Sequence, residues 1–283
     1  MAGASLHFKC ENFQRGGAYK FRGAANAVAL LTDAQAAAGV VTHSSGNHAT
    51  CLALAARLRG IPAHIVVPSN APLIKQQAIV AYGGRLTLCE PTLVARQAEA
   101  DRIQRETGAA FVHPYDDERV IAGQGTTALE LIGQVSGLEA IIAPVSGGGL
   151  LSGLCIAAEA AQPGIAIWGA EPALADDAFR SLRDGELRPN TNTATIADGL
   201  RASLSERTFS IIRRHARGVL TVSEEQIVSA MRLIWERMKL VVEPSAAVPL
   251  AAVLAAPEQF RGKRVGLVLT GGNVDLARLP WQG

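Results

Sequence analysis

The sequence predicts an α/β fold, parallel-rich sheets flanked by helices. Three observations carry this. Short, continuously apolar, β-branched runs alternate with longer Ala/Leu-rich stretches along the whole chain. Such runs lack the in/out alternation of a half-solvated sheet, which is the mark of parallel strands covered on both faces. The 283 residues match the length of two domains at ~150 residues each.

The elements follow in order. GVVT (39–42) reads as a strand leading into a helix over 47–59, and AHIVV (63–67) as a strand before a helix starting near 71–73. A strand at 85–88 precedes a helix at 93–106, and AAFV (109–112) follows it. Later come AIIAPV (140–145), a helix from Leu150, IAIWGA (165–170) and RVGLVLT (264–270). A helix is expected over 223–240, where Ser223 and Gln226 have capping-box spacing. Alternation of this kind builds βαβ units. The polar, turn-rich stretch 184–201 reads as a structured loop or an active-site flap, and no internal repeat or long linker is present.

Composition narrows the function classes. Hydrophobic residues make up 48% and charged residues 18%, which excludes a disordered chain. A net charge of +2, from 27 basic and 25 acidic residues, gives no basic face for nucleic acid. The longest apolar stretches, such as 150–158, are broken by Ser and Gly and fall short of the ~20 residues that span a bilayer. The N-terminus has no charged segment followed by an apolar one, so no secretion signal is expected. These features lead to the expectation of a cytoplasmic protein without nucleic-acid or membrane partners. Cys10, Cys51, Cys89 and Cys155 form no CxxC pair and read as reduced thiols serving as small hydrophobes.

Three segments have the composition of a reactive site. SGGGLLSG (146–153) follows the strand AIIAPV and opens a helix; glycines admit a phosphate to the free N–H groups of a helix N-terminus. Such turns also serve merely to pack strand on helix. No GK[ST] follows, so a P-loop is excluded. A dinucleotide fold is the rival, because Glu171 stands where a ribose-binding acid would. The motif by itself favours phosphate and leaves the cofactor open.

THSSGNHA (42–49) crowds four polar side chains at the mouth of a strand, where open α/β sheets bind ligands. One helix cap needs only one such residue. Third, the chain has five lysines against 22 arginines, and Lys20 lies between Tyr19 and Phe21 at the start of an Ala-rich helix. Apolar surroundings favour a neutral, nucleophilic amine. A lysine at a helix start is equally well solvated surface, and the residues alone leave both readings open.

Together these segments resemble the pyridoxal-phosphate (PLP) enzymes of fold type II, the serine/threonine dehydratase and serine racemase branch of the tryptophan synthase β-like enzymes. KCENFQRGGAYKFRGA, SSGNH, IAGQGTTALEL, PVSGGGL, GAEP, IADG and LTGGN all occur in that family's order, from about Leu6 to Leu276. The resemblance implies that Lys20 is the Schiff-base lysine and that Ser146, Gly147, Gly148, Gly149 and Leu150 hold the cofactor phosphate. It sets Asn47 against the cofactor's 3-oxygen and Thr270 against the pyridine nitrogen. Ser44, Asn47 and His48 match the pocket for the substrate carboxylate, and Ser45 the serine on the face opposite the lysine. A divalent cation such as Mg²⁺ would be held by Glu171, the carbonyl of Ala175, and Asp177, a donor set that suits a hard ion.

The implied activity is ammonia-lyase (dehydratase) chemistry on L-threonine or L-serine, giving a 2-oxo acid and ammonia. Thr270 fits it: a neutral hydroxyl leaves the ring nitrogen unprotonated, which tempers the electron sink and suits β-elimination better than transamination. A serine racemase and a 3-hydroxyaspartate dehydratase are alternatives within the family, with Arg96 or Tyr115 shaping the side-chain pocket. A nicotinamide-dependent dehydrogenase is the alternative from another class, and it leaves Lys20 and SSGNH unexplained. The resemblance also implies a homodimer, a large domain from 1–39 and 118–283, and a small domain over 40–117. Relatives carry a few dozen residues before the FKCE strand, where this chain has seven before Phe8; the expectation is a truncated start or elements supplied otherwise. No regulatory domain is expected after LTGGNVDL.

Overall fold

The computed structural model describes residues 2–281. The chain runs β1 (Ser5–Cys10), α1 (Lys20–Ala29), α2 (Asp33–Ala38), β2 (Val40–His43), α3 (Asn47–Arg59), β3 (Ala63–Pro68) and α4 (Leu73–Ala81). It continues with β4 (Arg85–Cys89), α5 (Leu93–Thr107), β5 (Ala110–Phe111), α6 (Glu118–Gln134), β6 (Ala140–Pro144), α7 (Gly149–Ala161) and β7 (Ala166–Pro172). Then come α8 (Asp177–Asp184), α9 (Glu206–His215), β8 (Gly218–Val222), α10 (Glu224–Leu233), α11 (Pro244–Ala255), α12 (Pro257–Phe260) and β9 (Arg264–Leu269). Two compact units result. One is Lys20–Gly123; the other is the chain up to Tyr19 and from Gln124 onward. The first spans more than 40–117 because α1 packs along α3.

In the larger unit five strands pair in the order β1-β9-β6-β7-β8, every pair parallel. Successive residues of one strand enter different cores. Ile142 and Leu267 belong to a cluster with α10 and α11 residues, whereas Ile141 and Val268 join Leu151 and Leu154 of α7. Both faces are thus covered, which is why these strands read as unbroken apolar runs. In the smaller unit the order is β4-β3-β2-β5, again all parallel. Val41 and Val66 pack on Ala100 and Ile103 of α5. Their alternates Val40, Ile65 and Val67 are as deeply buried.

Local chemistry sets the helix ends. Reciprocal capping boxes start α2 (Thr32/Gln35), α9 (Ser205/Thr208) and α10 (Ser223/Gln226). The single helix expected over 223–240 is corrected: α10 ends at Leu233, and Ile234–Met238 is a wider π turn closed by Lys239 at φ 59°. There Trp235 donates from Nε1 to Val242 O at 3.0 Å and meets the Trp281 ring edge-on at 5.3 Å. Residues 186–205 form a pinned loop, with Asn190 N–H on Ser203 Oγ, Ile196 N–H on Glu224 and Gly199 N–H on Ser245 Oγ.

Candidate active site

In the smaller unit the ends of two adjacent parallel strands face the same way. Register pairs Val41 of β2 with Phe111 of β5, so Ser44 and the segment from Val112 leave the sheet at one edge. Ser44 donates its N–H to Val66 O at 3.1 Å, and its Oγ accepts from Gly46 N–H at 3.3 Å. This turn carries half-buried Ser45 into α3, which no side chain caps. Asn47 and His48 open that helix.

Lys20, at the start of α1, meets the same edge. It donates from Nζ to Pro114 O at 2.8 Å, and desolvation brings its pKa from the usual 10.5 down to about 8. α1 is held close by Gly123 of α6, where a Cβ would stand 2.6 Å from Arg22 O and 2.7 Å from the Cα of Gly23. His48 donates from Nε2 to Val112 O at 3.2 Å, while its buried Nδ1 has no hydrogen-bond partner. Burial and then the nearby Lys20 push its pKa down to about 3. The ring is therefore neutral with an acceptor at Nδ1, and the His48 side chain offers a carboxylate no donor. Lys20, Ser44, Ser45, Asn47 and His48 share one end of this sheet.

In the larger unit the glycine loop follows β6. Ser146 and Gly148 both adopt positive φ, 55° and 84°. Gly148 begins α7 with no side-chain cap, leaving the first-turn N–H groups without helical acceptors. A Cβ on Gly148 would lie 2.7 Å from Leu204 Cδ2 and 2.8 Å from Thr208 Cβ. β9 pairs with β6, Leu267 opposite Ile142, so Thr270 leaves the sheet beside this loop. Thr270 is buried, and its carbonyl accepts from Tyr19 N–H at 2.9 Å.

Glu171, Ala175 and Asp177 meet where β7 turns into α8. Glu171 is buried and accepts from Ala178 N–H at 3.4 Å and Phe179 N–H at 3.0 Å. Asp177 accepts from Leu204 N–H at 2.8 Å through Oδ2, and the Asn190 side chain faces the same carboxylate. Burial, then the charge of Asp177, raises Glu171 well above the usual carboxylate range; burial lifts Asp177 to about 6. Two desolvated, neighbouring carboxylates, the charge of Asp177 acting on Glu171, are complementary to a cation. Among the described residues no three His, Cys, Asp or Glu side chains gather around a metal position, so carbonyl and water oxygens would complete the shell. Leu204 links this turn to Gly148, touching both.

The ribose-binding role considered for Glu171 is corrected here. Glu171 is buried beside Asp177 at the start of α8, so no exposed acid stands there for a ribose and the dehydrogenase alternative loses its support. Two further residues of the smaller unit bear on the site, Arg96, named above for the side-chain pocket, and His113, which its sequence does not single out. Arg96 on α5 lies within electrostatic reach of His43 and Cys89, the last residues of β2 and β4, and its buried Nε has no hydrogen-bond partner. His113 accepts two backbone N–H groups beside the Lys20 acceptor.

The sheets are parallel, the larger unit carries an uncapped glycine turn at its strand ends, and the smaller unit a desolvated lysine at its own. The family model described as "Pyridoxal-phosphate dependent enzyme" matches residues 1–271. The chain belongs to that family, and its structural neighbours are fold type II members. It is 52% identical over 281 residues to the β-hydroxyaspartate dehydratase of Paracoccus denitrificans (strain Pd 1222), covering 99% of this chain and 89% of that protein. It is 50% identical to the serine racemase of Arabidopsis thaliana, covering 99% and 86% of the two chains. The structure of maize serine racemase superposes with a TM-score of 0.95 at 46% identity, covering 98% and 85%. No helix among the described residues is long and apolar enough to cross a membrane. The site residues fit the cofactor: an uncapped helix start suits its phosphate, and a desolvated amine suits its aldehyde.

Proposed function

We propose that this protein is a PLP-dependent dehydratase that converts a β-hydroxy-α-amino acid to a 2-oxo acid and ammonia, with 3-hydroxyaspartate as the preferred substrate. The observation that carries the substrate choice is Arg96, a cation whose buried Nε is left unsatisfied near the end of β2. A side-chain carboxylate on the substrate would complete it; L-serine and L-threonine bring none. The likeness to a protein named β-hydroxyaspartate dehydratase supports the same reading.

Bound PLP supplies an electron sink for the pair left behind when the α-proton is removed. Lys20 would hold the cofactor covalently, and its freed amine would take the α-proton on its own side. The 146–150 loop would bind the phosphate, Thr270 would serve the pyridine nitrogen and Asn47 the 3-oxygen. Ser44 and Asn47 bind the α-carboxylate, together with the backbone N–H of His48 at the start of α3. Ser45 would act on the other face. The β-hydroxyl departs as water, and hydrolysis of the remaining imine gives the 2-oxo acid and ammonia, with no net redox change.

The test is 2-oxo acid release from L-serine, L-threonine and the 3-hydroxyaspartate isomers, by wild type and Arg96→Met. A charged hydrogen bond is worth about 1.5–3 kcal/mol. Arg96→Met should therefore lower kcat/KM for hydroxyaspartate roughly 10- to 100-fold, mostly through KM, and leave serine turnover within a few-fold. Equal losses on all substrates, or wild-type preference for serine, would refute the assignment.

Ser45→Ala separates elimination from racemisation, because only racemisation needs a proton donor on the second face. Proton transfer by a positioned group contributes ~10²–10⁴-fold. L-substrate deamination should survive in the folded variant while L-to-D conversion collapses; a common loss factor would make Ser45 structural.

The acidic turn is proposed to hold Mg²⁺ or a similar cation through Glu171, the Ala175 carbonyl and Asp177. Chelator should lower the melting temperature and, through Leu204, loosen the phosphate loop and its hold on the cofactor. Added Mg²⁺ should restore both. An unchanged melting curve and cofactor affinity in excess chelator would remove the metal.

A further inference from the structure

The loop that receives the Lys20 amine is built around one imidazole. His113 Nδ1 accepts from Asp116 N–H at 2.8 Å and from Tyr115 N–H at 3.3 Å. Both partners are donors, so Nδ1 must carry its lone pair and the ring proton sits on Nε2. The ring is wedged edge-on against Tyr115 at 4.5 Å and Phe111 at 6.0 Å. The loop's ends are clasped separately. Asp117 takes the Arg119 side chain at 2.6 Å and 3.0 Å, and Arg119 Nη2 donates back to Phe111 O at 3.2 Å.

Peptide planarity connects this turn to the lysine. Pro114 C=O and Tyr115 N–H belong to one peptide unit and, in the trans form, point in opposite directions. Holding the Tyr115 N–H on His113 therefore aims the Pro114 carbonyl the other way, and that carbonyl accepts the Lys20 amine at 2.8 Å.

We infer that His113 is a positioning residue for the cofactor-bearing lysine: its unprotonated Nδ1 holds the turn whose Pro114 carbonyl docks the Lys20 amine whenever that amine is not bonded to the cofactor. Burial, which takes the imidazole down to about pKa 4, keeps this acceptor available at neutral pH. The docking matters at two moments, when apo-protein first takes up cofactor and when substrate has displaced the lysine. In both, an amine aimed from a fixed carbonyl reacts from one position instead of searching. The inference rests on Lys20 being the cofactor lysine.

The experiment follows cofactor loading of apo-protein as growth of visible absorption that borohydride makes permanent. His113→Phe keeps the ring and removes the acceptor; His113→Asn places Oδ1 where Nδ1 was. A displacement of ~1 Å can cost 10²-fold in an oriented reaction. His113→Phe should slow the limiting loading rate by tenfold or more, and His113→Asn should recover it to within about threefold. Both should bind pyridoxine phosphate, which lacks the aldehyde, as wild type does. A Phe variant that loads at the wild-type rate, or an Asn variant as slow as Phe, overturns the inference. Should the variants not fold, ¹⁵N-histidine spectra of wild-type apo-protein at pH 7 decide: a bare Nδ1 on His113 supports it, and a protonated one overturns it. Lys20→Ala run alongside keeps the two readings apart, since a reducible bond surviving there removes the assignment of Lys20 itself.

Discussion

Lys20→Ala is expected to abolish turnover and the covalent cofactor bond while leaving the phosphate loop able to hold free cofactor. General base catalysis alone is worth ~10²–10⁴-fold, and the covalent attachment is lost as well, so the fall should exceed 10⁴-fold. Folding should survive, because the variant removes an amine that burial disfavours in its charged form. It should also change the pH dependence of apo-protein stability. Between pH 8 or so and 10.5 the unfolded chain keeps a proton on Lys20 that the folded chain has released. Wild-type stability therefore gains with rising pH across that window, and the variant lacks this gain. Urea melts at pH 7.5 and pH 10 measure it. A variant that still forms a borohydride-reducible bond would assign the chemistry to another lysine.

Gly148→Ala is the second large effect. The φ of 84° costs a residue with a Cβ roughly 1–2 kcal/mol, and forcing that carbon against Leu204, Thr208 and Ile212 adds about 1–3 kcal/mol. The larger unit should lose roughly 2–5 kcal/mol in total, and cofactor affinity should fall with it. Gly133→Ala is the control, since nothing lies within 4 Å of its added carbon in the last turn of α6. If both variants melt like wild type, the loop is not held as tightly as its contacts require.

Much of this site was legible in one dimension. Strand β6, the glycine run and the helix after it are contiguous, and their order imposes the turn. SSGNH is likewise contiguous with β2 and α3, and the Ser223/Gln226 box was readable from spacing alone. Where local pattern was weak, the reading lost elements. β8 (GVLTV) is only half-buried, and its short run does not stand out from its flanks. The π turn at Ile234–Met238 keeps apolar spacing close to that of an α-helix, so periodicity alone extended α10 through it.

The chain's residue order by itself determined the α/β class, the glycine turn, the serine-rich turn and the lysine between Tyr19 and Phe21, because each is written in short contiguous runs. Tertiary structure decided the rest. The depressed pKa of Lys20 comes from burial beside a carbonyl 94 residues away. The neutral state of His48 depends on Val112 and Lys20. The unsatisfied Arg96 is defined by α5 lying near the ends of β2 and β4. The repulsion between Glu171 and Asp177 arises only where β7 and α8 bury both. Desolvation and unpaired polar atoms are properties of an enclosed volume, and a volume is assembled by segments that share no sequence neighbourhood.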